Sequence, residues 1–237
     1  MKLGIIGGMG PSATAVLYDR ITDMTDAKRD QDHMEILLFS CPQIADRTAY
    51  ILDPAKENPG PQMTEAGLRL REAGAEILAM PCVTAHYFAE EIERGTGLPL
   101  IHMPRETARY LKERGILRAG IMATDGTIKS GIFKEALLAE GITPVIPGGE
   151  DQRGVMEIIY GQVKAGRPAD MELFRRISGH LLADGCGAVI LGCTEFAVVK
   201  ARGDVGHGCL SALDVLAQSC VQRCGYPLRE GSRELIS

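Results

Sequence analysis

Two of the seven cysteines lie where a thiol could do chemistry. Cys82 follows the apolar run Ile77–Met80, Cys193 follows the apolar run Ala188–Leu191, and a helix-starting pattern comes after each cysteine. A helix N-terminus lowers the pKa of a thiol from about 8.5 towards neutrality, which makes a thiolate available. One thiolate and one thiol across a cleft could transfer protons at carbon, one removing a proton and the other delivering one to the opposite face. We therefore predict that Cys82 and Cys193 are paired catalytic acid/base residues.

Other roles for the cysteines and their neighbours stay open at this point. A cysteine hydrolase would use Cys82 as its nucleophile and a base such as His86, although helix capping or solvent exposure explains His86 equally well. Cys220 and Cys224 share a helix face, but no Cys-x-x-Cys or paired-histidine spacing supports a metal site, and we predict none. The cysteines that we expect to be small buried hydrophobes are Cys41, Cys186, Cys209, Cys220 and Cys224.

A glycine-rich turn follows the first apolar run. Residues 8–13 read Gly-Met-Gly-Pro-Ser-Ala, which formally fits the dinucleotide-binding pattern G-x-G-x-x-G/A. The second predicted strand ends in Phe39-Ser40-Cys41 rather than in the acidic residue that would hold a ribose. Pro11 also removes one backbone N–H from the turn. We predict that the turn holds a small carboxylate on the amides of a helix N-terminus, with nucleotide binding or a purely structural turn as alternatives.

The segments that must position these residues alternate between short apolar runs and amphipathic stretches, which is typical of an α/β protein with a parallel sheet. The predicted strands are Leu3–Ile6, Ile36–Phe39, Ile77–Met80, Leu100–His102, Ala119–Met122, Thr143–Ile146 and Ala188–Leu191. The predicted helices are Ser12–Thr25, Gln62–Ala73, Arg105–Arg114, Ser130–Glu140, Val155–Lys164, Asp170–Ala183 and a terminal helix at about 210–224.

Two sequence patterns recur in the same order at nearly equal offsets. The strand and glycine turn of residues 4–10 resemble those of residues 120–126, and residues 77–82 resemble residues 189–193, where each strand is followed by a cysteine. The recurrence predicts two similar α/β halves, with chance similarity as the alternative. Because ligands bind beyond the carboxyl ends of parallel strands, facing halves would place the two cysteines across one cleft. We assign residues 1–100 plus 207–237 to the first domain and residues 101–206 to the second.

Composition and charge exclude several function classes. The chain has 237 residues, of which 45% are hydrophobic and 24% charged, and its 26 basic and 31 acidic residues give a net charge of −5. No long basic run indicates nucleic-acid binding, and no apolar stretch reaches the roughly 18 residues of a membrane helix. The first residues lack the apolar region and cleavage site of a signal peptide. We expect a cytoplasmic protein with reduced thiols and no nucleic-acid or membrane partner.

Six stretches together resemble the aspartate/glutamate racemase superfamily, and within it the aspartate racemase branch. They lie at residues 4–14 (Gly-Ile-Ile-Gly-Gly-Met-Gly-Pro-Ser-Ala-Thr), 45–48 (Ala-Asp-Arg-Thr), 81–86 (Pro-Cys-Val-Thr-Ala-His), 123–127 (Ala-Thr-Asp-Gly-Thr), 130–131 (Ser-Gly) and 191–195 (Leu-Gly-Cys-Thr-Glu). The resemblance implies two Rossmann-like three-layer α/β/α domains with mostly parallel sheets, related by a pseudo-twofold axis. It also implies an active site between the domains, a homodimer, and racemisation of an amino acid without pyridoxal phosphate, metal or any other cofactor.

The resemblance also assigns expected roles to individual residues. Cys82 and Cys193 correspond to the two catalytic acid/bases. Arg47 and Lys164, which on residue type alone would be solvated surface charges, correspond to positions that hold substrate carboxylates. Further expected substrate-binding residues are Met9, Gly10, Val83, Thr84, Thr124, Thr127, Thr194 and Glu195.

The chain departs from the family pattern at two places. Val83 stands where the family usually has asparagine, and residues 211–213 (Ser-Ala-Leu) with Leu216 replace polar residues of the C-terminal helix. Neither change affects the cysteines, so we predict a two-base racemase of aspartate, glutamate or a related acidic amino acid. The alternatives are another reaction of the superfamily, such as hydantoin racemisation, maleate isomerisation or a decarboxylase-like reaction, and a non-catalytic amino-acid sensor.

Overall fold

Two parallel sheets, one from each half of the chain, form the centre of the molecule. The computed structural model describes residues 1–237. Its strands are β1 (Leu3–Gly7), β2 (Ile36–Ser40), β3 (Ile77–Ala79), β4 (Arg118–Met122), β5 (Thr143–Val145), β6 (Ala188–Leu191) and β7 (Cys209–Ser211). The strand order is β2-β1-β3 in the first sheet and β5-β4-β6-β7 in the second, and all these pairs are parallel.

Eleven α-helices flank the sheets. They are α1 (Pro11–Met24), α2 (Arg47–Leu52), α3 (Gly60–Glu72), α4 (Ala89–Thr96), α5 (Met103–Glu113), α6 (Asp125–Ser130), α7 (Ile132–Ala139), α8 (Gly149–Met156), α9 (Met171–Ala183), α10 (Thr194–Arg202) and α11 (Ala212–Arg223). Short 3₁₀ helices span Asp30–Asp32 and Thr84–Phe88, and a π-helix, Glu157–Val163, continues α8. None of the helices has the length and apolar character required to cross a lipid bilayer.

The two sheets repeat one arrangement. Strand β1 lies between β2 and β3 as β4 lies between β5 and β6. A Cβ atom at Gly4 in β1 would lie 2.8 Å from Cβ of Ala75, and one at Gly120 in β4 would lie 3.0 Å from Cβ of Leu181. Glycine at both positions therefore allows a flanking segment to approach the central strand closely. The arrangement confirms the prediction of two similar α/β halves built on parallel sheets.

Alternate strand residues divide the core into three apolar clusters. In β1, Ile5 belongs to a cluster shared by both halves, whereas Ile6 belongs to a cluster confined to the first half. In β6, Ile190 belongs to the shared cluster and Leu191 to a cluster confined to the second half. Such alternation is expected for parallel strands covered on both faces. The shared cluster, to which α1, α5, α7 and α11 contribute, joins the two halves.

Two predicted elements are wrong. The segment Leu100–His102 is not a strand and forms only one parallel bridge, from Leu100 to Leu78, because α5 begins at Met103 with His102 as its N-cap. The predicted helix Ser130–Glu140 is divided at Gly131, whose φ of +72° separates α6 from α7. That backbone conformation favours glycine over other residues.

The C-terminal segment contacts both halves. Strand β7 pairs with β6 and so belongs to the second sheet, although residues 207–237 were predicted to belong to the first domain. Helix α11 contacts α1 of the first half and also α5 and α10, which lie within residues 101–206. The domain boundaries, 1–100 plus 207–237 and 101–206, remain a prediction.

Candidate functional site

A narrow cavity lies between the two halves, beyond the carboxyl ends of β1, β4 and β6. This is where open parallel sheets bind their ligands. The cavity is lined by Met9, Asp46, Arg47, Thr48, Cys82, Val83, Thr84, Thr124, Tyr160, Lys164, Gly192, Cys193, Thr194 and Glu195. Ten of the twelve predicted site residues are in this lining, and the other two, Gly10 and Thr127, are not. Gly10 is the N-cap of α1 and is partly exposed.

The two candidate acid/base cysteines have different backbone settings. Their exposed fractions are similar, 7% for Cys82 and 8% for Cys193. Cys193 is the N-cap of the nine-residue helix α10, as predicted. Cys82, however, precedes only the short 3₁₀ helix Thr84–Phe88 and not an α-helix. The expectation that both thiols lie at an α-helix N-terminus therefore holds for Cys193 alone.

A chain of close polar contacts begins at Cys193. Its Sγ donates to Oε2 of Glu195 at 2.7 Å, and Oε1 of Glu195 lies 2.7 Å from Nζ of Lys164. The Thr194 hydroxyl also donates to Oε2 of Glu195, at 3.4 Å. Glu195 therefore links one candidate acid/base residue to one candidate carboxylate-binding residue.

These contacts determine the electrostatics of Cys193. Burial raises the pKa of the Cys193 thiol well above its ordinary value, and the Glu195 carboxylate raises it further. Lys164 and the backbone N–H of Glu195 favour the thiolate but do not offset these two effects. The near-neutral pKa expected at this helix N-terminus is therefore wrong for Cys193.

Lys164 reaches the cavity from the end of the π-helix Glu157–Val163. Burial acts to lower the pKa of Lys164, but the Glu195 carboxylate and, more weakly, the two cysteines raise it above its ordinary value, so the side chain keeps its charge. The Nζ atom also lies 5.5 Å from the ring centroid of Tyr160, within the range of a cation–π contact. Tyr160 and Lys164 thus enter the site together, and π-helical turns frequently occur at functional sites.

Arg47 lies on the Cys82 side of the cavity. It begins α2 just after the N-cap Asp46, and its Nη1 donates to the carbonyl oxygens of Ile44 and Ala45 at 3.1 and 2.9 Å. Burial acts to lower the pKa of Arg47, but interactions with Cys82 and, more weakly, with Asp46 and Tyr160 together raise it above its ordinary value. Its buried Nε atom has no hydrogen-bond partner. The guanidinium is fixed by the backbone and retains a donor for a ligand.

Four buried threonine hydroxyls connect the two halves. Thr84 lies 2.8 Å from Thr127 and 3.4 Å from Thr124, measured between Oγ1 atoms. Thr124 also lies 3.1 Å from Thr127 and 3.3 Å from Thr48. Thr127 therefore supports two cavity threonines from outside the lining, and a direct contact with substrate stays a prediction for it.

His86 is oriented away from the thiol chemistry. It is 2% exposed, and its Nδ1 and Nε2 lie 3.0 and 3.4 Å from the carbonyl oxygens of Cys82 and Ile101. Burial lowers the pKa of His86 to about 4, despite these carbonyl contacts. The expected solvent exposure of this residue is wrong, and neither nitrogen contacts a cysteine sulphur as the base of a cysteine hydrolase would.

Four cavity residues were not predicted from the sequence: Asp46, Thr48, Tyr160 and Gly192. Three of them lie inside or beside the matched motifs at 45–48 and 191–195, and that proximity could have identified them. A Cβ atom at Gly192 would lie 2.8 Å from the Phe133 ring and 3.1 Å from Cβ of Ala123, so this position requires glycine. Tyr160 lies in an ordinary amphipathic pattern and has no such signal.

A family model described as Asp/Glu/hydantoin racemase matches residues 6–220. The chain belongs to this family. The protein is therefore an isomerase of the racemase type, and the family assignment agrees with the two parallel sheets and flanking helices described above.

Relatives of this racemase-family protein align with it over most or about half of its length. The broad specificity amino-acid racemase RacX of Bacillus subtilis is 28% identical over 208 residues, covering 83% of this chain and 86% of RacX. The glutamate racemase of Pseudomonas aeruginosa is 34% identical over 133 residues, covering 55% of this chain and 49% of that enzyme. The structure of Picrophilus torridus aspartate racemase matches 98% of this chain and 97% of its own, with 30% identity and a TM-score of 0.81.

Proposed function

We propose that this protein is a two-base amino-acid racemase in which Cys82 and Cys193 move protons at the α-carbon of aspartate, glutamate or a related acidic amino acid. The observation that carries the proposal is the placement of both thiols in one cavity, together with a fixed cation on each side. Arg47 interacts with Cys82, and Lys164 is joined to Cys193 through Glu195.

The proposed reaction moves two protons. The thiolate of one cysteine takes the proton from the α-carbon and becomes a thiol, and the electron pair of the broken C–H bond stays on the carbon. The thiol of the other cysteine then gives its proton to the opposite face of the carbon and becomes a thiolate. The charges of Arg47 and Lys164 stabilise the carboxylates while negative charge develops, and such preorganised electrostatics is usually the largest catalytic contribution. Both proton carriers are side chains, so the proposal needs no cofactor.

The cavity dimensions imply that the described form is closed. Its volume is about 20 Å³, which suits about one water molecule rather than an amino acid. The halves must therefore separate for substrate to enter. Closure over the substrate would then exclude water from the proton transfers.

A racemase of broader amino-acid specificity is the second candidate. Val83 lines the cavity but is only 3% exposed and packs into the shared apolar cluster, so it offers the substrate no polar group. Lys164 is already paired with Glu195, which leaves Arg47 as the cation with a free donor. Both features favour substrates with one carboxylate, and the similar protein RacX is named a broad specificity racemase.

The test is a chiral chromatographic assay of L- and D-amino acids with Cys82→Ser and Cys193→Ser variants. We expect each variant to lose racemisation in both directions, because each direction needs both proton carriers. Cys41→Ser is the matched control, since Cys41 is a free cysteine outside the cavity lining, and it should keep its activity. Racemisation by either cavity variant at the normal rate would contradict the mechanism.

We also propose that the protein is a cytoplasmic homodimer. The proposal rests on the family resemblance, and size-exclusion chromatography with light scattering would test the dimer. A single species with the mass of one chain would contradict it.

A further inference from the structure

Glu195 faces two cavity groups with its two carboxylate oxygens. Oε2 accepts the hydrogen bond from the Cys193 thiol, and Oε1 pairs with Lys164, each at 2.7 Å. The residue is 7% exposed, so solvent screens these interactions weakly. A buried carboxylate that accepts a hydrogen bond from a thiol favours the protonated form of that thiol.

A cation lies on the Cys82 side of the cavity, where Cys82 interacts with the Arg47 guanidinium. The carboxylate of Asp46 also lines this side, and its Oδ1 accepts the N-cap hydrogen bond from the backbone N–H of Ala49 at 2.7 Å. Cys82 thus interacts with a cation, whereas the closest charged contact of the Cys193 sulphur is a carboxylate.

The groups that face Cys193 from its own half come from two elements. Helix α10 contributes the carboxylate and the backbone N–H of Glu195, and the π-helix segment contributes Lys164 and the Tyr160 ring. The first half adds Cys82, which interacts with Lys164. Among them, the Lys164 cation is paired with Glu195, so the contact nearest to the thiol is the anionic one.

We propose that Glu195 is a positioning residue that makes the two cysteines unequal, keeping the proton on Cys193 so that Cys82 carries the thiolate of the resting enzyme. The inference rests on the proposed two-base function and extends it by assigning the resting proton. It predicts that the free enzyme is ready for the enantiomer whose α-hydrogen faces Cys82.

The proton balance of this inference is simple. Cys82 thiolate takes the α-proton, Cys193 thiol gives its own, and the product form has a Cys193 thiolate beside the Glu195 carboxylate. This form is the less stable one, and proton exchange between the sulphur atoms and water restores the resting form. The two enantiomers have equal free energies, so their kcat/KM values must be equal. The asymmetry therefore has to be measured on the thiols themselves.

The test is the pH dependence of alkylation by iodoacetamide, resolved for each cysteine by peptide mass spectrometry. In the unmodified protein, Cys82 should react at lower pH than Cys193, because only thiolates react. Glu195→Gln keeps a hydrogen-bond acceptor but removes the charge. It should increase the reactivity of Cys193 at fixed pH about tenfold, which corresponds to one pH unit in its midpoint, and leave the Cys82 profile unchanged.

Two further variants separate electrostatics from disruption of the site. Glu172→Gln makes the same charge change on the exposed side of α9 and should change neither profile. Lys164→Met should move the Cys193 midpoint to higher pH, opposite to Glu195→Gln, because Lys164 favours the thiolate. Local unfolding would instead move both cysteines towards the profile of a free thiol, and so would change the Cys82 profile as well, in both cavity variants.

Specific outcomes would overturn the inference. These are a Cys193 that reacts at or below the pH of Cys82, and a Cys193 midpoint that Glu195→Gln does not move. The measurement needs no turnover, so it is independent of the proposed function. A protein that shows the predicted thiol profiles but no racemisation would refute the function and leave the role of Glu195 intact.

Discussion

The hydroxyl of Thr84, in the first half, lies 2.8 Å from the hydroxyl of Thr127, in the second half. Both side chains are buried, with exposed fractions of 7% and 2%. This contact holds the two sides of the cavity together directly beside Cys82. A small number of side-chain hydrogen bonds thus joins the halves at the position where the proposed mechanism requires them to open and close.

Replacing Thr84 with valine should weaken this connection. The change keeps the shape of the side chain but leaves Thr127 with only its contact to Thr124. We expect the free energy of unfolding to fall by about 1 kcal/mol, measured by denaturant titration. The exposed Thr143, replaced by valine, is the control and should have no effect. Equal stability of the Thr84 variant and the unmodified protein would show that the hydroxyl contact contributes nothing.

Two glycine-to-alanine changes, one in β4 and one in the helix α9 that packs on it, should change the stability in opposite directions. Gly120→Ala places a Cβ atom 3.0 Å from Leu181 in α9, and the overpacking should cost about 1–3 kcal/mol of stability. Gly179→Ala lies in the same helix α9 with nothing within 4 Å, and it should instead stabilise by about 1 kcal/mol because alanine favours a helix. Thermal unfolding of the two variants distinguishes these effects, and the same sign for both would contradict the packing account.

Acid should destabilise the protein through two histidines, His86, which is buried, and His102, which is partly buried. Burial lowers the pKa of His86 to about 4 and that of His102 to about 3, from an ordinary value of 6.5. The unfolded chain therefore binds more protons between these pH values, so the stability present above pH 6.5 is lost as the pH falls towards 4. Denaturant unfolding at a series of pH values measures the loss. His86→Gln should flatten the profile over this window, and an unchanged slope in that variant would remove His86 as the cause.

Val83 should influence which amino acid is preferred. Val83→Asn introduces an amide into the cavity, and we expect the turnover of aspartate relative to apolar amino acids to rise about tenfold, as one added hydrogen bond allows. The variant should also lose stability, because Val83 is buried in the apolar cluster. Val83→Ala changes size without adding a polar group. If Val83→Ala alters the preference as much as Val83→Asn, the amide is not responsible.

The sequence predicted those features that depend on local pattern. The apolar runs before Cys82 and Cys193 are strands that end near the cavity, because burial on both faces demands continuous apolar residues. The family resemblance assigned Arg47 and Lys164 to the site, and both lie in the cavity lining. The segment 100–102 was predicted to be a strand because Leu100 and Ile101 are apolar. These residues instead form a single bridge and lead into α5, which begins at Met103.

Features that depend on side-chain geometry could not be predicted from the sequence. The π-helix before Lys164 brings in Tyr160, and nothing in the residue pattern distinguishes a π-helix from an α-helix. The helix N-terminus at Cys193 suggested a stabilised thiolate, and that expectation is wrong for this residue. Burial and the contact with Glu195, two residues further along the chain, favour the thiol instead.

The most direct test of the central claim is proton NMR of the purified protein in D₂O, with no cofactor added, against separate L- and D-amino acids. We predict that the α-proton signal of aspartate, glutamate or another amino acid disappears, and that chiral chromatography of the same samples shows the opposite enantiomer. Exchange should begin from either enantiomer, because one thiol faces each side of the α-carbon. Absence of α-proton exchange for every amino acid tested would contradict the proposed racemase.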